Sequence, residues 1–369
     1  MKIFLAGTSL DAAYGGPAYS VSRLAVALAT SGDEVGLWAA DGTAMTTSLI
    51  LPDSGVQRLS GTETEALKEF GTPDVLHDNG LWMPHNHRLC VIATKRAIPR
   101  VVSTRGMLEP WAMNHKRMKK RVAWWIYQKN DLRRAATLHA TAAPEAANLQ
   151  RLALGVSVRV VPNGVDLPAL GVDLHEGAIG NEGRVRTALF VGRLYPVKGL
   201  PMLIEAWAHV RPAGWRLQIV GPDEAGHRLE LERAIATFGL GDAISFAGAL
   251  EGDAKASAFR DADLFVSPTH SESFGMTIAE ALASGLPVLT TTGAPWPMLS
   301  ERGCGWRVEP TVEGLTSGLR NAVSSDAKAL CAMGTAGRDL VASLFRWELI
   351  ADQFHRLYAS TFAEQSKLT

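Results

Sequence analysis

Glu272 and Glu280 stand with seven residues between them in the run LFVSPTHSESFGMTIAEALASGLPV, where an apolar strand-like segment gives way to a loop and then a helix ending before Gly285. Glu272 falls in the loop, Ser273 is placed to cap, and Gly275 lets a ligand approach the backbone. Such a helix start offers backbone amides and a positive dipole end to an anion. At about 1.5 Å rise per residue, Glu280 comes roughly 6 to 8 Å further along the helix, about where a ribose would sit if a diphosphate lay on the amides. Glu272 would then face a transferred sugar. Glu280 is a lone acid among Ile278, Ala279, Ala281 and Leu282, and an acid in that setting needs a partner.

A second cluster lies in ALFVGRLYPVKGL, where a β-type run ends at Gly192 and is followed by Arg193 and Lys198. The carboxyl end of a strand is where open parallel sheets place ligands. A guanidinium grips two phosphate oxygens and an ammonium adds a mobile point charge, so the pair suits the charge that develops on a departing diphosphate without a metal. Gly15-Gly16-Pro17, after the first strand, offers a further amide site for an anion or sugar oxygen. A P-loop ending GK[ST] and a clean GxGxxG are both absent, which argues against a nucleotidase and a nicotinamide enzyme. Asp261-Ala262-Asp263 resembles a metal-binding DxD but leads into a strand, so it reads as a helix-to-strand connection. The histidines do not cluster at metal-ligand spacing; His85 and His87 are close, but Pro84 and Asn86 suggest a loop there and not a metal site.

Parallel sheets covered by helices must position these residues, since short apolar runs alternate with amphipathic stretches almost from end to end. The fold class is α/β. In the first half strands are expected at 2–6, 34–39, 74–77 and 100–104, with a helix over 18–29 whose Val21, Leu24, Ala25 and Leu28 share one face. In the second half strands are expected at 187–192, 216–220, 244–246, 263–268 and 287–291, with helices at 200–210 and 276–283 and a closing helix over 346–360. Residues 164–183, rich in Gly, Asp and Pro, read as the linker. The 369 residues suit two domains, and 37 basic against 37 acidic residues exclude a general nucleic-acid binder. Cys90, Cys304 and Cys331 form neither a disulfide framework nor a zinc site, and no long apolar span occurs, so a cytoplasmic location is expected.

Taken together, Gly15-Gly16, VPNGVD at 161–166, GRLYPVKG at 192–199, FAGAL at 246–250 and the Glu272/Glu280 pair make the chain resemble glycosyltransferase family 4 over nearly its whole length. The stretches STRGMLEPWAM at 103–113, TTGAPWPML at 291–299 and RGCGW at 302–306 further resemble members that build bacterial exopolysaccharide, capsule or lipopolysaccharide. The resemblance implies a GT-B fold: two Rossmann-like domains facing each other across a cleft, acceptor-binding over 1–163 and nucleotide-sugar-binding over 164–345, with 346–369 crossing back to the first. It implies a retaining hexosyl transfer from a nucleoside-diphosphate sugar to a saccharide or lipid-linked acceptor, with no cofactor and no metal. Arg193 and Lys198 would hold the diphosphate, Glu280 the ribose, Glu272 the sugar, and the amides of Phe274, Gly275 and Met276 the sugar and phosphates. A nucleotide-sugar epimerase or a non-catalytic sugar-nucleotide-binding protein is the alternative.

The sequence departs from the family where many relatives carry a histidine, since VVST runs here into Arg105. Arg105 cannot serve as a general base but can hold sugar hydroxyls or a phosphate. His77, at a strand end, is the expected substitute. HKRMKKRVAWWIYQK at 115–129 sets five cations ahead of Trp124, Trp125 and Tyr127, as expected of a basic helix resting peripherally on anionic membrane.

Overall fold

A computed structural model describes residues 1–114, 117–168 and 184–366. The chain divides into two compact units, Met1–Gly164 together with the segment from Phe345 onward, and Val165–Leu344. Most of the expected linker, residues 169–183, lies outside the described residues.

The first unit is built on seven parallel strands: β1 Lys2–Gly7, β2 Glu34–Ala39, β3 Val56–Leu59, β4 Val75–Asn79, β5 Arg100–Ser103, β6 Thr137–Ala140 and β7 Ser157–Val160. They lie in the order β3-β2-β1-β4-β5-β6-β7. The central strands are buried almost throughout because both faces are covered. One cover is the helix Gly16–Thr30, whose Val21, Leu24, Ala25 and Leu28 enter the core beside Ile350, Phe354 and Tyr358 of the last helix, Trp347–Ser366. The other includes Glu63–Phe70 and Pro84–Lys95, whose Leu67 and Leu89 seat on Phe4 and Leu76.

The second unit repeats the plan with β8 Arg186–Val191, β9 Trp215–Val220, β10 Ile244–Gly248, β11 Leu264–Ser267, β12 Val288–Thr291 and β13 Gly305–Val308, ordered β10-β9-β8-β11-β12-β13. The strand order reverses between β8 and β11, the kind of switch point at which such sheets bind ligands. Gly199 sits there with φ +69, and a Cβ would come within 2.1 Å of the Pro268 carbonyl oxygen, so only glycine lets the loop after β8 meet the loop after β11.

A single wide turn interrupts the helical segment after Arg117: a regular helix Arg117–Ala123 passes into a π-helix, Trp124–Gln128, and then back into a regular turn, Lys129–Arg133. Among the described residues no helix is long and apolar enough to cross a membrane.

Candidate functional site

In the second unit the loop after β11 is fixed from three sides. Glu272 donates its amide to the Gly293 carbonyl at 2.9 Å, and His270 donates its amide to the Val197 carbonyl at 2.8 Å. Trp296 donates its indole N–H to the Phe274 carbonyl at 2.6 Å, with the two rings 5.4 Å apart. Gly275 then takes φ +86 as the residue before the helix Met276–Ala283, and no side chain caps that helix. The expected helix is matched residue for residue.

Lys198, from the short 3-10 turn Pro196–Lys198 after β8, forms an ion pair with Glu272, so two candidates from separate segments meet. Arg193 does not join that ion pair: it is exposed and pairs with Glu224 at 2.7 Å. Glu280 has the partner that an acid in an apolar helix requires. Lys255, from the helix Gly252–Arg260, reaches its carboxylate at 2.8 Å. Burial pushes the Glu280 carboxyl above its usual range, and the Lys255 ammonium opposes that shift. Lys255 is the group that sequence reasoning missed. Nothing at a spacing of twenty-five positions marks it.

In the first unit Gly15, with φ +85, precedes the helix Gly16–Thr30, whose start has no side-chain cap. Arg105 adopts a left-handed backbone, φ +49, just past β5. Its Nη1 donates to Ser20 Oγ at 3.2 Å, in the helix that Gly15 opens, and to Asn163 Oδ1 at 2.8 Å. Its Nε and Nη2 both donate to Asn79 Oδ1, at 3.2 and 2.6 Å. Burial lowers its pKa to about 10, so the guanidinium stays charged at neutral pH.

His77 does not join this group, and the expectation of a substrate-facing histidine is corrected. Its ring is fully buried and committed on both sides, Nδ1 to Tyr358 Oη at 2.7 Å and Nε2 to Ser103 Oγ at 2.6 Å. Ser103 continues to His139 Nδ1 at 2.6 Å, and His139 Nε2 ends the chain on the Val161 carbonyl at 2.7 Å. Burial holds His77 well below the usual histidine pKa and takes His139 down to about 3, so both rings are neutral at neutral pH. A carbonyl only accepts, so with neutral rings the direction of every bond follows: His139 donates from Nε2, Ser103 donates to His139, His77 donates from Nε2 to Ser103, and Tyr358 donates to His77. Strand alternation explains the placement: the His77 ring enters the layer between β4 and the last helix, against Phe354.

Asp263 of the DxD look-alike is taken up by Arg184 and by the Thr187 amide at 2.8 Å, a structural tie. Among the described residues no group of three His, Cys, Asp or Glu side chains is arranged to hold a metal.

In the expected basic helix, His115 and Lys116 lie outside the described residues. Arg117, Lys119 and Arg121 are exposed. Trp124 and Tyr127 turn inward, Trp124 beside Trp82 at 6.4 Å and Tyr127 donating to the Trp82 carbonyl at 2.6 Å. The apolar surface is instead Met118, Val122, Trp125 and Ile126, exposed by 71, 56, 71 and 70%. Lys129 sits over the Trp125 ring at 5.0 Å.

Two family models match: "Glycosyl transferase 4-like domain" over residues 15–164 and "Glycosyl transferases group 1" over residues 185–325. A D-inositol 3-phosphate glycosyltransferase of Segniliparus rotundus is 32% identical over 207 residues, 52% of this chain and 46% of that protein. The chain thus matches about half the length of such curated relatives. Among solved structures, a sucrose-phosphate synthase from Thermosynechococcus elongatus superposes with a TM-score of 0.78 at 21% identity, over 98% of this chain and 99% of that one. Anabaena HepE in complex with UDP and glucose gives 0.74 at 20% identity, over 98% and 100%. The fold is that of the GT-B glycosyltransferases, and the chain belongs to the glycosyltransferases, its first unit to the 4-like domain and its second to group 1.

Proposed function

We propose that the protein is a retaining, metal-independent transferase that moves a hexose from a nucleoside-diphosphate sugar to a saccharide or lipid-linked acceptor of a bacterial surface polysaccharide. The observation that carries this reading is the Lys198–Glu272 ion pair in front of the uncapped helix Met276–Ala283. A diphosphate on the amides of Phe274, Gly275 and Met276 competes with Glu272 for Lys198 and frees the carboxylate for sugar hydroxyls. Arg193, now held only by an exposed partner, joins Lys198 as counter-charge for the leaving group. Glu280 takes the ribose, with Lys255 paired to its carboxylate. Arg105 adds a guanidinium for a sugar hydroxyl or a phosphate oxygen, and Gly15-Gly16 a backbone site. In the reaction the acceptor oxygen bonds to the anomeric carbon on the face from which the phosphate departs, and the departing phosphate oxygen takes the acceptor's proton. That step requires no histidine base.

The exposed stripe Met118, Val122, Trp125 and Ile126, flanked by Arg117, Lys119, Arg121 and Lys129, fits peripheral contact with an anionic bilayer beside a lipid-linked acceptor.

Thermal-shift screening with UDP-, GDP-, ADP- and dTDP-sugars, followed by acceptor-free release of the nucleoside diphosphate, tests the reading. One donor is expected to stabilise the protein and to be slowly hydrolysed, unaffected by EDTA. Dependence on added magnesium that EDTA abolishes contradicts metal-independent transfer, and binding without turnover favours a non-catalytic role.

A further inference from the structure

We infer that Glu145, which no motif singles out, is the positioning residue for Arg105. This rests on the reading that Arg105 meets the substrate. Glu145 opens the helix Ala143–Arg151 and is only 2% exposed. Its Oε1 accepts from Thr104 Oγ1 at 2.7 Å and from the Gly106 amide at 2.7 Å, the residues on either side of Arg105. Its Oε2 accepts from the Thr141 amide at 2.7 Å and Thr141 Oγ1 at 2.8 Å, which anchors the carboxylate to the end of β6.

A left-handed backbone is unfavourable at a residue with a Cβ, which crowds the following carbonyl oxygen. Arg105 at φ +49 persists because one oxygen grips both its neighbours. The guanidinium's own direct partners, Asn79, Ser20 and Asn163, are neutral oxygens that orient it without cancelling its charge. Glu145 thus fixes the direction of a cation while leaving that cation available to an anionic or hydroxylated ligand.

The carboxylate supplies its own control, because each oxygen holds one amide and one threonine hydroxyl. Thr104→Val and Thr141→Val delete equivalent bonds, one on the Arg105 side and one on the anchor side. The donor-independent readout is the Nε–H resonance of Arg105 in 15N-labelled protein. It is expected to be resolved and slowly exchanging in the wild type and in Thr141→Val, and to shift and broaden in Thr104→Val. With UDP-glucose as probe, Thr104→Val is expected to lower kcat for UDP release at least fivefold with KM within twofold, and Thr141→Val to stay within twofold on both. Glu145→Ala, which releases both sides, is expected to follow Thr104→Val. Equal effects of the two threonine substitutions on the resonance overturn the inference and leave Glu145 a general fastener. Wild-type turnover in Arg105→Ala sinks the substrate role of Arg105 instead, while the resonance still decides whether Glu145 holds it.

Discussion

At the carboxyl ends of β8 and β11 the polar groups are ions paired at partly exposed positions, Lys198 with Glu272 and Arg193 with Glu224, whereas the chain His77–Ser103–His139 across β4, β5 and β6 is neutral, sealed and joined in one direction. The Arg193–Glu224 pair, its side chains about half exposed, can be exchanged for a ligand at little cost, since exposed pairs contribute about 0 to 1 kcal/mol. The neutral chain cannot be opened so easily. Each member is satisfied only by its neighbours, and an orphaned buried polar group costs about 1 to 3 kcal/mol. The sites differ in what they are stable against: one against folding errors, the other against nothing until a ligand arrives.

The comparison is broken most decisively by activity in Lys198→Ala and Glu272→Ala. Each is expected to reduce turnover by about a hundredfold or more, the range seen when a group stabilising transition-state charge is removed, with the melting temperature nearly unchanged. Loss of folding would mean the pair is structural after all. The opposite pattern is expected of His77→Ala. It opens a cavity and orphans Ser103 and Tyr358, a loss of about 2 to 5 kcal/mol in denaturant unfolding, while the folded fraction keeps its turnover.

Titration sharpens the contrast. Unfolded histidines bind a proton near pH 6.5, but folded His139 does so only near 3 and folded His77 also below its usual value. Their contribution is intact above 6.5 and is lost as pH falls from there toward 3, by up to about 1.4 kcal/mol per pH unit for each histidine. Urea midpoints measured between pH 7.5 and 5 are expected to fall, and less steeply in His139→Phe. Parallel slopes would show that the chain is not the titrating element. The smallest effect belongs to the surface stripe. Flotation with vesicles rich in anionic lipid is expected to weaken about tenfold in a Trp125→Ala, Ile126→Ala double variant and to fall with salt. No preference for anionic over neutral vesicles removes the membrane reading.

The central strands, the helices Leu200–Val210 and Met276–Ala283, and the meeting of residues near Lys198 with those near Glu272 were legible because continuous apolar runs and turn glycines record local constraints. Val56–Leu59, Thr137–Ala140, Ser157–Val160 and Gly305–Val308 escape a reading by apolar runs, because VQRL, SVRV and GWRV carry a cation and TLHA a histidine that interrupts each run. The fate of His77 was illegible for another reason. Whether a strand-end side chain meets solvent or a covering helix depends on Tyr358, 281 positions away, and no local pattern records that distance. For residues 117–129 the charge pattern was readable but the facing was not. Trp124 and Tyr127 turn inward because the π-turn changes the phase of the helix where they sit.

That wide turn also has a consequence for how the segment can change. A π-turn holds one residue more than the regular turn it replaces, so a single codon lost within Trp124–Gln128 would restore an ordinary α-helix. Because the turn absorbs its extra residue locally, the regular helices on either side would keep nearly the same phase, and only side chains inside the turn would be re-aimed. Met118 and Val122 would keep their face, and the change would fall on Trp125 and Ile126 within the turn. The stripe is therefore tunable by a change of length as well as by substitution, at one end and with the helices around it left as they are.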